Sequence, residues 1–464
     1  MANCYDGSLA LNGLTIVETN AMYRMALFIL IVLALFVDSV CIYFAYDKAY
    51  VISVQDKLVT FGLLVTILYA SLPLTLNYMM SGGDLGYHLQ RVEGIKDSLL
   101  NGVFPNRIAP EWQQGYGYAS PIFYGETFLY IAALFRIIGF DVTMSYRMFL
   151  FVVAVVTVLI SYVSFKGIIQ NKYGALMGSF LYSTSVYRVY KAYYCGSWGE
   201  MFGIMLLPLV LYGFYHIFTA DIKAKGYRRS FIPLSVGLAL LIQSHLLTGE
   251  MVGGFTIITC ILLWKRVFRK ETFTELAKSA IFAVLLSMWF LVPFVDYMLT
   301  GDFVIQNVSD RTIQYRGLLP AHLFLVFFRD GDEVFFDETG MYDTAATGVG
   351  GVLMLVLLIF CFKWFWNKRE GLSDEEFHTC RLFAIYSILA MWMSLLYFPW
   401  DRIQSINGIT ATLVSSIQFP NRFLTIANVL LCALAGFLLK SVLSTKDIKR
   451  ALAYTAVVAL FAIM

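Results

Sequence analysis

Ser81-Gly-Gly-Asp-Leu-Gly-Tyr-His-Leu-Gln-Arg91 directly follows Leu58–Met80, a run that is almost wholly apolar. A run of that length can cross a hydrocarbon core of roughly 30 Å. An ionisable cluster at the point where a span leaves the bilayer has to face water, protein or a ligand, because bare lipid excludes it. If a helix starts at Asp84, then Asp84, His88 and Arg91 share one face at spacings of four and three. A carboxylate, an imidazole and a guanidinium would then stand together at the membrane surface, suited to acid–base work on a lipid-borne substrate. Helix capping and snorkelling of the long side chains are the competing structural explanation.

The surrounding chain fits this placement. It is 59% hydrophobic and 14% charged, whereas globular domains carry about a quarter charged residues. An all-α polytopic membrane protein follows. The net charge of +3 gives no reason to expect a nucleic-acid partner. The seven cysteines show neither a disulfide framework nor metal-pair spacing, and the first 24 residues lack the basic region of a cleavable signal.

The apolar runs predict spans at Met25–Tyr46, Leu58–Met80, Met148–Phe165, Gly174–Val189, Met201–Phe218, Phe231–Leu246, Met251–Val267, Ala277–Leu299, Ala345–Phe365, Leu382–Phe398, Arg422–Leu439 and Ala451 onward, a bundle of about 11–12 transmembrane helices in one domain, residues 1–464. The last run stops short of span length at Met464, which points to a chain that continues.

Orientation comes from Lys and Arg, which favour cytoplasmic loops. Lys223, Lys225, Arg228 and Arg229 share one short loop, and Lys265, Arg266, Arg269 and Lys270 another; Lys363, Lys368 and Arg369 mark a third, and Lys440, Lys446, Lys449 and Arg450 a fourth. With these inside, Asp84 lies outside. Ile122–Phe140 then cannot cross the membrane. Carrying Glu126 and Arg136, it is expected to lie in the outer interface. Residues 81–147 become one large first external loop with interfacial helices, and 300–344 a second long one. The second ends in an acidic run from Asp330 to Asp343 that could bind a divalent cation, though its spacing matches no EF-hand. No other cofactor is implied.

Further polar residues gather at outer span ends. Glu200 begins a span after Trp198-Gly199, either as a second acidic group or as a favourable charge at a helix N-terminus. His245 and Glu250 bracket a tight turn. Tyr116 and Tyr118, set among glycines, are either interfacial anchors or carbohydrate contacts. Arg91, Arg107, Arg188 and Arg422 are the external or interfacial arginines, and Arg is suited to bidentate phosphate contact.

The order of these motifs resembles the GT-C class of membrane glycosyltransferases, and locally the YfhO-like and "6-pyruvoyl-tetrahydropterin synthase-related" bacterial membrane proteins. Carrying the resemblance are Gly83-Asp84 with His88 and Arg91, Gly102-Val-Phe-Pro-Asn-Arg107, Gly115-Tyr-Gly-Tyr-Ala-Ser-Pro-Ile-Phe-Tyr124, Tyr187-Arg188, Gly196-Ser-Trp-Gly-Glu200, His245-Leu-Leu-Thr248 and Phe419-Pro-Asn-Arg-Phe423. The five histidines are scattered, which does not suit a pterin-synthase zinc site. The resemblance implies a polyprenyl-phosphate-linked sugar donor and a site on the outer face of a bacterial plasma membrane. Asp84 would be the base, aided by His88 and Glu200, and Arg91, Arg107, Arg188, His245, Arg422, Tyr116 and Tyr118 would contact substrate or phosphate. Two other classes remain open. A transporter or flippase of lipid-linked saccharide would place its polar groups near the bilayer midplane, and a non-catalytic envelope-assembly protein would not need Asp84.

Overall fold

The computed structural model describes residues 53–76, 79, 83–110, 112–301, 303, 312–324 and 348–444. Among them the secondary structure is helical, with no strand beyond two isolated bridges. We number the helices α1 (Val54–Ala70), α2 (Leu85–Leu100), α3 (Leu129–Ile138), α4 (Val142–Ile169), α5 (Lys172–Ser183), α6 (Trp198–Thr219), α7 (Phe231–Ile242), α8 (Leu246–Leu262), α9 (Lys270–Thr300), α10 (Gly351–Phe365), α11 (Asp374–Ser394), α12 (Gly408–Ile417) and α13 (Leu424–Ser444). Helices α4, α6 and α9, and α13 extended back to Pro420, are long and apolar enough to cross a membrane. The chain is an integral membrane protein.

Helix α13 is the hub, with 83% of its apolar stretch buried. It packs on α5, α11 and α10, and α6 packs on α4 and α7. The α5–α13 contact is close because both surfaces are small. A Cβ on Gly174 would meet the Gly436 carbonyl oxygen at 2.6 Å, and one on Gly178 the Cys432 carbonyl oxygen at 3.0 Å. Glycines four apart on one face let two backbones approach, which stabilises helix pairs in lipid through dispersion. Helix α9 is peripheral. It leaves Ile281, Phe282, Val284, Leu285 and Leu286 exposed, as suits a bilayer-facing surface.

Several expected boundaries shift, each for a local reason. The span expected over Leu58–Met80 ends at Ala70 and gives way to a single turn, Leu72–Thr75, opened by Pro73. The span expected over Gly174–Val189 breaks at Thr184. The chain restarts at Val186–Val189 and widens into a π-turn, Tyr190–Tyr194. Residues 122–140 are not one helix. Ser120–Phe123 is a separate turn, and α3 is ten residues long, about 15 Å at 1.5 Å per residue, half of what crossing requires. Gly139, at φ 110°, stops α3 in the left-handed region where glycine is favoured. The expected segments Met25–Tyr46, Ala451 onward and Asp330–Asp343 lie outside the described residues.

The start of α6 and α13, the end of α7 and the start of α8 meet at one end of the bundle, which α2 covers. The Lys223–Arg229 and Lys265–Lys270 loops lie at the other end, where Lys172 pairs with Asp56.

Candidate functional site

The site end is built around the irregular link from the π-turn to α6. Gly196 has φ 64°, and a Cβ there would meet Leu85 Cβ at 2.9 Å. That close approach seats the start of α2 against the link. The Asp84 amide donates to the Cys195 carbonyl at 3.1 Å, and the Ser197 hydroxyl donates to Asp84 Oδ2 at 2.7 Å. Asp84 is exposed.

Three residues after Ser197, Glu200 is buried beneath this position. It accepts hydrogen bonds from the Tyr187 hydroxyl and, at 3.3 Å, from Thr425. Lys191 Nζ stands 3.0 Å from its Oε2 and Arg422 Nε 3.7 Å. Two cations thus share one carboxylate, leaving the cluster net positive. Lys191 is 5% exposed and comes from the π-turn, a helical irregularity that often marks functional sites. Arg422 is half-buried and donates Nη1 to the Ile417 carbonyl at 2.8 Å. His245 completes this layer, with Nδ1 2.7 Å from the Thr248 hydroxyl. Gly199 lets the layers meet, since a Cβ there would lie 1.8 Å from the Tyr124 hydroxyl and 2.9 Å from His245 Cδ2.

A second, structural layer lies under α2. His88 and Arg91 share a helix face as expected, but that face is buried rather than at the surface. The His88 ring stacks on Trp198 at 5.5 Å and 9°. Burial, with the charges of Arg91 and His245 adding to it, holds its pKa well below the usual imidazole value. Arg91 is buried and makes four contacts. It donates Nε to Glu126 at 3.2 Å and Nη2 to the carbonyls of Tyr124 and Gly125 at 2.8 Å, and its Nη1 lies 3.4 Å from His88 Nδ1. Glu126 also accepts from Asn106 at 3.0 Å. Burial pushes the Glu126 pKa up, against the pull of Arg91, and pushes the Tyr124 hydroxyl up to about 12. This layer fixes the 124–126 loop on α2 and buries Arg91, with four of its five N–H donors engaged.

The remaining candidates separate. Arg107 donates to the Trp289 carbonyl on α9 at 2.7 Å and serves as a strut. Arg188 is buried, with Nη1 on the Ser183 carbonyl at 2.8 Å, and caps the end of α5. Tyr116 is 90% exposed. Tyr118 stacks on Trp112 at 5.0 Å and 2°, Trp112 packs edge-on to Tyr87, and Tyr87 stacks on Tyr124. An aromatic row therefore runs from the surface to the Tyr124 hydroxyl, which feels the charges of both Asp84 and Arg422. Asp84, Glu200, His245, Arg422 and the Tyr118 row come together; Arg107 and Arg188 stand apart. Lys191 was missed by sequence reasoning. Its signal was a lone ammonium inside the aromatic run Tyr187–Tyr194, where a charge is costly without a partner. No group of three His, Cys, Asp or Glu side chains placed to hold a metal occurs among the described residues.

No family model and no curated protein matches the chain. Among solved structures, the apo crystal structure of the oligosaccharyltransferase of Archaeoglobus fulgidus aligns with a TM-score of 0.46 and 12% identity, over 90% of this chain and 54% of that one. The archaeal oligosaccharyltransferase AglB from Archaeoglobus fulgidus, in complex with an inhibitory peptide and a dolichol-phosphate, aligns with a TM-score of 0.42 and 11% identity, over 86% and 53%. The chain spans about half the length of these proteins. At these values the likeness carries no functional weight.

Proposed function

We propose that the chain is a membrane glycosyltransferase of the GT-C type. In this reading it moves a sugar from a polyprenyl-phosphate-linked donor to a cell-envelope acceptor on the outer face of the membrane. One observation carries the proposal: an exposed carboxylate, Asp84, is anchored by Ser197 at the same bundle end as a buried cluster with one excess positive charge, Lys191–Glu200–Arg422.

The chemistry needs both halves. An acceptor hydroxyl attacks the anomeric carbon, and its proton passes to the Asp84 carboxylate. The bond between that carbon and the phosphate oxygen breaks, and the phosphate leaves with the electron pair, still attached to the polyprenyl chain. Arg422, half-buried and at the rim, receives the departing oxygens, and Lys191 supports it from below. A base of this kind contributes typically 10²–10⁴-fold. Glu200, filled by four partners, acts in this reading by holding the two cations rather than by taking a proton. The Trp112–Tyr118 stack offers the sugar or acceptor an aromatic face. The outer-face placement follows from the Lys/Arg asymmetry between the two bundle ends. The bacterial, YfhO-like affinity rests on motif order alone.

The test is direct. Purified protein in nanodiscs is given a panel of radiolabelled polyprenyl-phosphate sugars with envelope lipid extract as acceptor. Release of free polyprenyl phosphate coupled to label transfer is expected with at least one donor. Absence of transfer across the panel, with folding intact, would overturn the assignment.

A further inference from the structure

At the bundle end opposite Asp84, an apolar groove of about 160 Å³ lies between α6, α8, α11 and α13. On α6 its lining runs from Leu207 to Thr219, about 18 Å at 1.5 Å per residue. That is the depth of one leaflet of a roughly 30 Å hydrocarbon core. Its walls are apolar (Phe214, Val252, Phe255), and its mouth carries Arg266, Glu375 and His378.

The mouth carries both signs of charge. Among the first-turn acids of α11, Asp374 pairs with Arg369, and Glu376 makes the capping box with Ser373 and pairs with Lys440. Within the described residues, the side chains of Glu375 and Arg266 make no hydrogen bond or ion pair. Trp264 and Phe268, exposed on either side of Arg266, are the aromatic residues expected where a protein meets lipid headgroups.

We propose that this groove holds one acyl chain of an aminoglycerophospholipid from the leaflet at that end. Its phosphate lies on Arg266 and its ammonium on Glu375. The groove accounts for the chain, and the two opposite charges account for the head. A lipid head without a cation would leave Glu375 unmatched or repelled, and the trimethylammonium of phosphatidylcholine has no N–H to donate to it.

The test uses the full chain, reconstituted in nanodiscs with equal amounts of phosphatidylethanolamine, phosphatidylglycerol and phosphatidylcholine. The complex is then released into mild detergent, and retained lipids are read by native mass spectrometry. We expect phosphatidylethanolamine to be retained about tenfold over the other two, as one charge-assisted contact at the head supplies. Glu375→Gln and Arg266→Gln, both at the groove mouth and away from the core, should each remove that preference. Thr256→Trp, which fills the groove, should remove retention itself. Equal retention of the three lipids, preference for phosphatidylglycerol or phosphatidylcholine, no retained lipid, or a preference unchanged in both mouth variants would overturn the proposal. None of these outcomes depends on glycosyl transfer.

Discussion

Breaking the Lys191–Glu200 pair should cost more than almost any other single change in the protein. The Glu200 side chain is 2% exposed and that of Lys191 7%, with 3.0 Å between the charges. Removing one partner of a buried pair leaves an uncompensated charge and typically costs ~3–5 kcal/mol. Lys191→Met should sit near the lower end, because Arg422 still stands 3.7 Å from the carboxylate. Glu200→Gln should sit near the upper end, since it leaves two cations facing one another. The double variant Lys191→Met/Glu200→Gln removes one charge of each sign, so its cost should fall short of the sum by about 0.5–3 kcal/mol, the range for residues in one network. The assay is reversible denaturant unfolding in mixed micelles, comparing midpoints at constant slope. Additivity within ~0.5 kcal/mol would mean the two groups do not interact, and the cluster on which the phosphate site is built would be refuted.

Gly199→Ala should drive the Tyr124 hydroxyl away, since the new Cβ would lie 1.8 Å from it; about 1–3 kcal/mol of overpacking is expected by thermal unfolding, partly relieved by adding Tyr124→Phe. For His88, whose folded pKa lies well below the usual 6.5, the unfolded chain binds more protons in the acid range. The stability it contributes is therefore complete above about pH 6.5 and is lost as pH falls toward the folded value. His88→Gln should remove up to ~1.4 kcal/mol per pH unit of that slope, and an unchanged slope would count against a buried neutral ring. Arg422→Gln should raise the KM for the lipid-linked donor about tenfold or more, whereas Arg107→Ala, a contact to the Trp289 carbonyl, should leave it unchanged.

The helical membrane architecture was legible because apolar run length reports it directly, and among the described residues the Lys223–Arg229 and Lys265–Lys270 loops fall at one end of the bundle and Asp84, Trp198 and His245 at the other. Breaks within runs were harder to read. The run from Gly174 to Val189 breaks after Ser183, where the Arg188 guanidinium takes the Ser183 carbonyl five residues back, a local side-chain contact that apolar periodicity does not encode. Glu200 and Arg422 could be selected because each stands at the start of an apolar run. Their meeting is a long-range approach of the chain before α13 to the start of α6, which no local pattern encodes. Arg91 misleads in sequence: a guanidinium on a helix face next to Asp84 invites a ligand, but the partner that consumes it, Glu126, lies 35 residues on. Lys191 hid in an aromatic run until the π-turn brought it to Glu200.

Sugar transfer by the Asp84→Asn variant tests the central claim most directly. The amide keeps the shape and the Ser197 contact of an exposed side chain and cannot accept the acceptor's proton. With the donor identified on the wild-type protein, turnover in nanodiscs should fall by roughly 10²–10⁴-fold, with the unfolding midpoint and donor KM unchanged. Full turnover in Asp84→Asn, with donor and acceptor saturating, would show that Asp84 is not the base and would contradict the account.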